Sequence, residues 1–290
     1  MELWQAAALG FVEGITEYLP VSSTGHLIIT SDLIGLRDRG GAVEDFNIII
    51  QGGAILAVAG LYFPRFVSML LGLLGRDAAG RMLLFNLVIA FVPAAALGLA
   101  MHGWIKEHLF RAVPVIVAFI VGGLFMIAVD RACVAPMRRH QAAGGSGGRE
   151  LRDLTPGGAL LIGLLQCVSL WPGTSRSMMT ITGGVMSGLR PAAAAEFSFL
   201  LGMPTLLAAT GYALYKNLKQ SAAAGTPNVF QSLGVGPSVV GMVVAAVCAA
   251  VAVKWLVAFL NRHGLTPFGV YRILLGLALI GLIAAGWVTV

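Results

Sequence analysis

EGITEYLPVSSTGH, residues Glu13 to His26, stands where a membrane protein would place its first apolar span, and its composition is wrong for one. Two carboxylates, three consecutive hydroxyls (Ser22, Ser23 and Thr24) and a histidine interrupt an apolar run that begins at Trp4. Pro20 ends the helix, because proline has no N–H to donate and restricts the residue before it. Trp4–Leu19 is thus short of the ~20 apolar residues that an easy crossing takes. It reads as the first arm of a hairpin, with a small-residue turn and a second apolar helix after it.

Around this stretch the chain is that of an all-α integral membrane protein. Of its 290 residues 58% are hydrophobic and 11% charged, with mean hydropathy +0.87, too apolar for a surface facing water. Barrel-like alternation is absent, so the spans are helices. Six runs are long enough to cross: Phe46–Phe63, Met82–Met101, Val113–Val129, Phe197–Tyr215, Ser238–Leu260 and Val270–Val288. Gly158–Trp171 is short again, and again runs into a proline, Pro172. Short broken apolar segments in matching places of two halves point to re-entrant elements around a binding site.

The N-terminus lacks the basic region of a signal peptide and is expected to be retained. Cys133, Cys167 and Cys248 are odd in number and widely spaced, which excludes a disulfide framework and suits packing. The net charge of +6 and pI near 9.6 read as loop arginines of a membrane protein rather than a nucleic-acid surface.

The two broken segments resemble each other. With one gap, GFVEGITEYLPVSS lies over GLLQCVSLWPGTS, pairing Gly10 with Gly163, Glu13 with Gln166, Pro20 with Pro172 and Ser23 with Ser175; EDFNIII then pairs with AEFSFLL. The chain reads as a duplicated unit, residues 1–134 and 154–290, joined by a polar linker, residues 135–153, that contains GGSGG. One re-entrant hairpin and three crossings per unit make the second unit inverted relative to the first.

Charge sets the orientation. Loops on the linker side hold Arg65, Arg76, Arg81, Arg131, Arg138, Arg139, Arg149, Arg152, Arg262 and Arg272, against Arg37, Arg39, Lys106, Arg111, Lys216 and Lys219 opposite. The bias puts the linker in the cytoplasm and both termini outside.

Glu13 and Glu17, four residues apart, share one helix face. Two carboxylates close together at low dielectric share a proton, meet a cation or coordinate a metal. Ser22, Ser23 and His26 converge on the turn that follows. In the second half, WPGTSRSMMT offers hydroxyls at Thr174, Ser175, Ser177 and Thr180 around Arg176. A helix starting after such a turn aims free N–H groups and its positive dipole end at whatever lies in front, and the guanidinium fork suits phosphate oxygens. A bland alternative is that Arg176 merely neutralises Glu13 or Glu17. Copy one keeps the acid–base groups and copy two the cation, a split that suits a phosphate site built across the pseudo-twofold axis.

EGITEYLPVSSTGH together with PGTSRSMMT resembles the undecaprenyl-pyrophosphate phosphatase family of bacteria, whose signatures are an E-x-x-x-E run leading into PVSSTGH and a P-G-x-S-R-S-x-x-T loop. The likeness extends over essentially the whole chain; Met178 and Met179 stand where the family often has small residues. It implies hydrolysis of undecaprenyl pyrophosphate to the monophosphate, which recycles the lipid carrier of peptidoglycan synthesis and underlies bacitracin resistance. It also implies six transmembrane helices plus two re-entrant hairpins in the inner membrane, with a site open to the periplasm. By motif position the functional residues are Glu13, Glu17, Ser23 and His26, then Ser175, Arg176 and Thr180.

The expected enzyme is metal-dependent: Glu13 and Glu17 hold Mg²⁺ or Ca²⁺ jointly with the diphosphate. Arg176 and the groups around it (Ser22, Ser175, Ser177, Thr180) bind phosphate. His26 is nucleophile or general base, with the nucleophile favoured, and Ser23 is a second candidate nucleophile or a positioning hydroxyl. A lipid-phosphate or anion transporter is the competing reading, since inverted repeats with broken helices are a transporter architecture. The partners expected are the lipid substrate and membrane lipid, no nucleic acid, and an oligomeric state left open, a homodimer included.

Overall fold

The computed structural model describes residues 1–36, 41–109, 111–225 and 228–285. Helices α1 (Leu3–Thr16) and α2 (Ser23–Leu33) form a hairpin, followed by α3 (Gly41–Leu61), α4 (Phe63–Leu73), α5 (Ala78–Leu109) and α6 (Ala112–Val129). After α6 come α7 (Ala135–Ala142), a second hairpin of α8 (Pro156–Val168) and α9 (Arg176–Met186), then α10 (Pro191–Ala224), α11 (Val229–Leu233), α12 (Val235–His263) and α13 (Thr266–Ala284). Among the described residues five helices are long and apolar enough to cross a membrane, and the count is six if α3 and α4 form one broken span. Apolar side chains such as Phe85, Val121, Val251 and Leu277 stand exposed on these helices, a perimeter suited to lipid. The chain is a multi-pass membrane protein.

The bend of 72° between α3 and α4 has a local cause. Pro64 has no N–H for the carbonyl four residues back, so the ladder breaks at Tyr62.

The two hairpins are built to one plan. The same displacement in sequence separates Leu3 from Pro156, Ser23 from Arg176 and Leu33 from Met186, the boundaries of their arms. At the base, Gln5 Nε2 donates to the Ile34 carbonyl at 3.1 Å, and at the equivalent positions Ser187 Oγ donates to the Gly158 carbonyl at 3.2 Å. A Cβ on Gly10 would lie 2.3 Å from the Gly241 carbonyl oxygen, and one on its counterpart Gly163 would lie 2.6 Å from that of Ala90. Each first arm thus packs backbone to backbone on a long helix of the other half, α12 or α5.

This correspondence needs no gap. Ser22 and Ser175 are the two described non-glycine residues with positive φ, at 73° and 75°, and each stands just before its second arm. Ser175 therefore matches Ser22, not Ser23; Pro20 falls opposite Gly173, and Arg176 opposite Ser23. Aligning the two prolines forced the gap, whereas the conformation that the turns share is the serine one. Such a backbone costs roughly 1–3 kcal/mol per residue and persists where the surroundings over-determine it.

Two expectations change. Arg272 is not in a linker-side loop: it lies within α13, fully buried. Burial is tolerated because its guanidinium meets carbonyl oxygens, and without it the charge bias is smaller. Arg37 and Arg39, on the opposite side of that comparison, lie outside the described residues, as does the end of the expected span Val270–Val288. The linker is also more ordered than GGSGG suggests. Helix α6 continues through a π-turn, Asp130–Val134, into α7, and Arg149 N–H donates to the Gly188 carbonyl at 2.9 Å beside the second hairpin's base.

Candidate active site

The hairpin tips meet inside the protein. Ser177 Oγ on the second donates to the Leu19 carbonyl on the first at 2.7 Å. Across this junction Arg176 Nη2 donates to Glu17 Oε1 at 3.1 Å, and both side chains are largely buried. The other oxygen of the same carboxylate, Oε2, accepts from Ser23 Oγ at 2.6 Å. Glu17 thus joins a hydroxyl from α2 to a guanidinium from α9, residues 159 positions apart in the case of Arg176.

Arg176 is held from several sides. Its Nη1 donates to the Ser198 carbonyl at 2.9 Å, and its guanidinium lies over the Tyr18 ring, 5.7 Å from the centroid. A Cβ at residue 202 would come within 2.5 Å of Nη1, so Gly202 supplies the space the guanidinium occupies. Its Nε finds no hydrogen-bond partner among the described residues. A buried ion pair of this kind is weak support for stability by itself. An unused donor beside it is what an anion-binding role needs.

Of the other second-half candidates, Ser175 caps α9, its Oγ accepting from Met178 N–H at 3.2 Å and lying 2.9 Å from Ser177 Oγ. Thr180 is fully buried; its Oγ1 donates to the Arg176 carbonyl at 2.9 Å and lies 2.6 Å from Ser198 Oγ. In this arrangement Ser177 and Thr180 position the helix start that carries Arg176.

Glu13, one turn before Glu17, is 1% exposed, and its Oε1 has no partner among the described residues. An unpaired buried carboxylate oxygen is costly, which makes Glu13 a group waiting for a cation or a proton. Among the described residues no three His, Cys, Asp or Glu side chains converge as a metal cluster. Glu13 with Glu17 still fits a divalent cation that completes its shell with substrate oxygens.

His26 keeps different company. Its Nδ1–H donates to the Ser22 carbonyl at 2.8 Å, and Nε2 lies 2.7 Å from the Tyr271 hydroxyl, with the two rings stacked at 5.7 Å. The carbonyl fixes the proton on Nδ1, so in the neutral ring Nε2 accepts from Tyr271. The structure brings Glu17, Ser23 and Arg176 into direct contact and does not bond His26 to any of them.

Ser198, Gly202 and Tyr271 were not singled out in the sequence, and Arg272 entered it only as a loop charge. Ser198 lies inside EFSFLL, whose match to the first half was visible, and Arg272 is a lone charge at the start of an apolar run. Gly202 carried no signal.

Comparisons with known proteins agree with one another. The undecaprenyl-diphosphatase of Sorangium cellulosum is 45% identical over 94% of this chain and 84% of its own length. Undecaprenyl-diphosphatase 2 of Rhodospirillum rubrum is 45% identical over 99% of this chain and 97% of its own, and the undecaprenyl-diphosphatase of Methylibium petroleiphilum is 42% identical over the same shares. Residues 6–278 match the family model described as bacitracin resistance protein BacA, and the chain belongs to that family.

Proposed function

We propose that this chain hydrolyses undecaprenyl pyrophosphate to undecaprenyl phosphate and inorganic phosphate, recycling the lipid carrier of peptidoglycan synthesis. The names of its relatives support the substrate, and the contact that carries the chemistry is Ser23–Glu17–Arg176. A hydroxyl hydrogen-bonded to a base that a third group orients is the arrangement of an activated nucleophile.

In the mechanism we favour, the terminal phosphoryl group takes the Arg176 guanidinium away from Glu17 Oε1, while Oε2 keeps its hydrogen bond to Ser23. Glu17 Oε2 accepts the Ser23 proton, Oγ bonds to the terminal phosphorus, and the bond from phosphorus to the bridging oxygen breaks. Glu17 passes its proton to the departing lipid phosphate. It then deprotonates the water that attacks the phosphoserine and returns that proton to Ser23 Oγ as the Oγ–phosphorus bond breaks, releasing phosphate and restoring both groups. Arg176 and the N–H groups at the start of α9 stabilise the equatorial oxygens. A divalent cation, Mg²⁺ or Ca²⁺, would be held by Glu13 and Glu17 with the diphosphate oxygens and supplies charge neutralisation when bound. His26 supports the strained Ser22 at the tip, where the imidazole is engaged on both nitrogens.

A prenyl tail must stay in lipid while its diphosphate is cut. Re-entrant hairpins shelter the polar groups at that depth, because irregular backbone inside a membrane is tolerated only where protein covers it. We place the chain in the bacterial inner membrane as an inverted repeat of residues 1–134 and 154–290, with the linker in the cytoplasm and both termini and the site facing outward. A cysteine within the GGSGG linker should react only with membrane-permeant reagents, whereas Arg39→Cys, outside the described residues, should be labelled by impermeant ones. Reversed labelling would turn the site toward the cytoplasm.

Phosphate release from undecaprenyl pyrophosphate by the purified chain in detergent tests the activity itself. Release is expected; lipid movement in vesicles without release would identify a transporter.

A further inference from the structure

Arg272 is among the most deeply buried side chains, with none of its surface exposed. Its Nη2 donates to the Gly173 carbonyl at 2.7 Å and to the Ala118 carbonyl at 2.9 Å, while Nη1 reaches the Pro20 carbonyl at 3.5 Å. Its guanidinium lies over the Phe119 ring at 5.1 Å from the centroid. None of the ion pairs among the described residues includes it. Pro20 and Gly173 are equivalent positions of the two hairpins, each two residues before the serine of positive φ, Ser22 or Ser175. One cation therefore grips the same carbonyl of both turns at once and ties them to α6.

Placing a guanidinium there without an acid costs desolvation that carbonyl oxygens offset only in part, so its retention calls for a reason other than packing. Geometry supplies one. Ser23 and Arg176 are the first residues of α2 and α9, each three positions beyond a gripped carbonyl, and they must meet Glu17 across the junction. A fork with several fixed donors can hold two turns in register, which a single ammonium at one point does less well.

We infer that Arg272 is a positioning residue for the hydrolytic site, fixing the first hairpin's tip against the second so that Ser23 and Arg176 face one phosphoryl group. The inference rests on the phosphatase reading above. The helix that carries Arg272 is itself anchored: Asp130 Oδ1 accepts from Leu265 N–H at 2.7 Å, and Oδ2 accepts from the Thr266 hydroxyl at 2.6 Å, fastening the start of α13 to the end of α6. The neighbouring Tyr271 meets His26 on the first hairpin, so successive residues of α13 touch the catalytic turns.

Two variants test this. Arg272→Lys keeps the charge and loses the fork. Gly122→Ala keeps Arg272 but puts a methyl 2.7 Å from Nη2, displacing the end of a flexible side chain without emptying the core. Both proteins are to be assayed for phosphate release from undecaprenyl pyrophosphate in detergent, alongside thermal unfolding. The expected result for each is a kcat lower by about 100-fold, the scale of an ångström-sized misplacement, with KM within about threefold of the parent and the unfolding midpoint little changed. Turnover within about threefold of the parent in both variants would overturn the inference, since neither the fork nor its location would matter. So would a loss seen entirely in KM, or one matched by the unfolded fraction. Absence of release by the parent chain would instead defeat the phosphatase reading.

Discussion

Ser23 Oγ and Glu17 Oε2 lie 2.6 Å apart, a hydroxyl from the second arm of a hairpin against a carboxylate just past the end of its first. The turn that joins them contains Pro20 and the strained Ser22. If this pair is nucleophile and base, Ser23→Ala should lower kcat by at least about 10³-fold, the range of nucleophile deletions. Glu17→Gln, which keeps the shape and loses the base, should lower it by about 10²–10⁴-fold. Steady-state phosphate release measures both, and near-normal turnover in Ser23→Ala would remove the serine from the chemistry.

Arg176 is expected to act through its fork as well as its charge. Arg176→Lys should therefore lower kcat by about 10²–10³-fold, the scale for losing an oriented donor in a dry site. Gly202→Ala makes the same point without touching the arginine, because the added methyl meets Nη1 at 2.5 Å. It should reduce turnover while the unfolding midpoint holds. Unimpaired turnover in Arg176→Lys would make Arg176 a mere counter-charge.

Exhaustive chelation should abolish phosphate release, and Mg²⁺ or Ca²⁺ should restore it. Glu13→Gln should shift the metal concentration needed for half-maximal rate upward, since the unpartnered Oε1 loses its charge. Full activity after chelation would leave Glu13 without a metal to hold.

His26 is bonded to a carbonyl and to Tyr271, so its expected role is to steady the turn. His26→Ala should lose about 10²-fold through misplacement of Ser22 and Ser23, with a residual rate that does not recover at high pH. Tyr271→Phe should show a smaller loss of the same kind. A His26→Ala rate that climbs with pH, as hydroxide replaces a missing base, would return the imidazole to the chemistry.

Much of this architecture was legible because broken helices announce themselves. Pro20 and Pro172 cut apolar runs short, and the acids, hydroxyls and arginine beside them have no place in ordinary spans. What the residues did not disclose depends on distance across the fold. Arg272 reads as a loop arginine because its carbonyl partners lie far away in sequence, at Pro20, Ala118 and Gly173. The register of the repeat was displaced at the tip because matching Pro20 to Pro172 looks better than matching Ser22 to Ser175; only backbone angles reveal that the serines correspond. Ser23 and His26 both follow Glu17 closely in sequence, and the Tyr271 partner that distinguishes His26 exists only once α13 is packed.

The most direct test of the hydrolytic site is rapid quenching of the wild-type chain with undecaprenyl pyrophosphate labelled in its terminal phosphate. The expected result is an acid-stable phosphoryl adduct that maps to Ser23, forms and decays at rates compatible with turnover, and is missing from Ser23→Ala. An acid-labile, base-stable adduct on His26, or single-turnover phosphate release by Ser23→Ala at the parent rate, would contradict it.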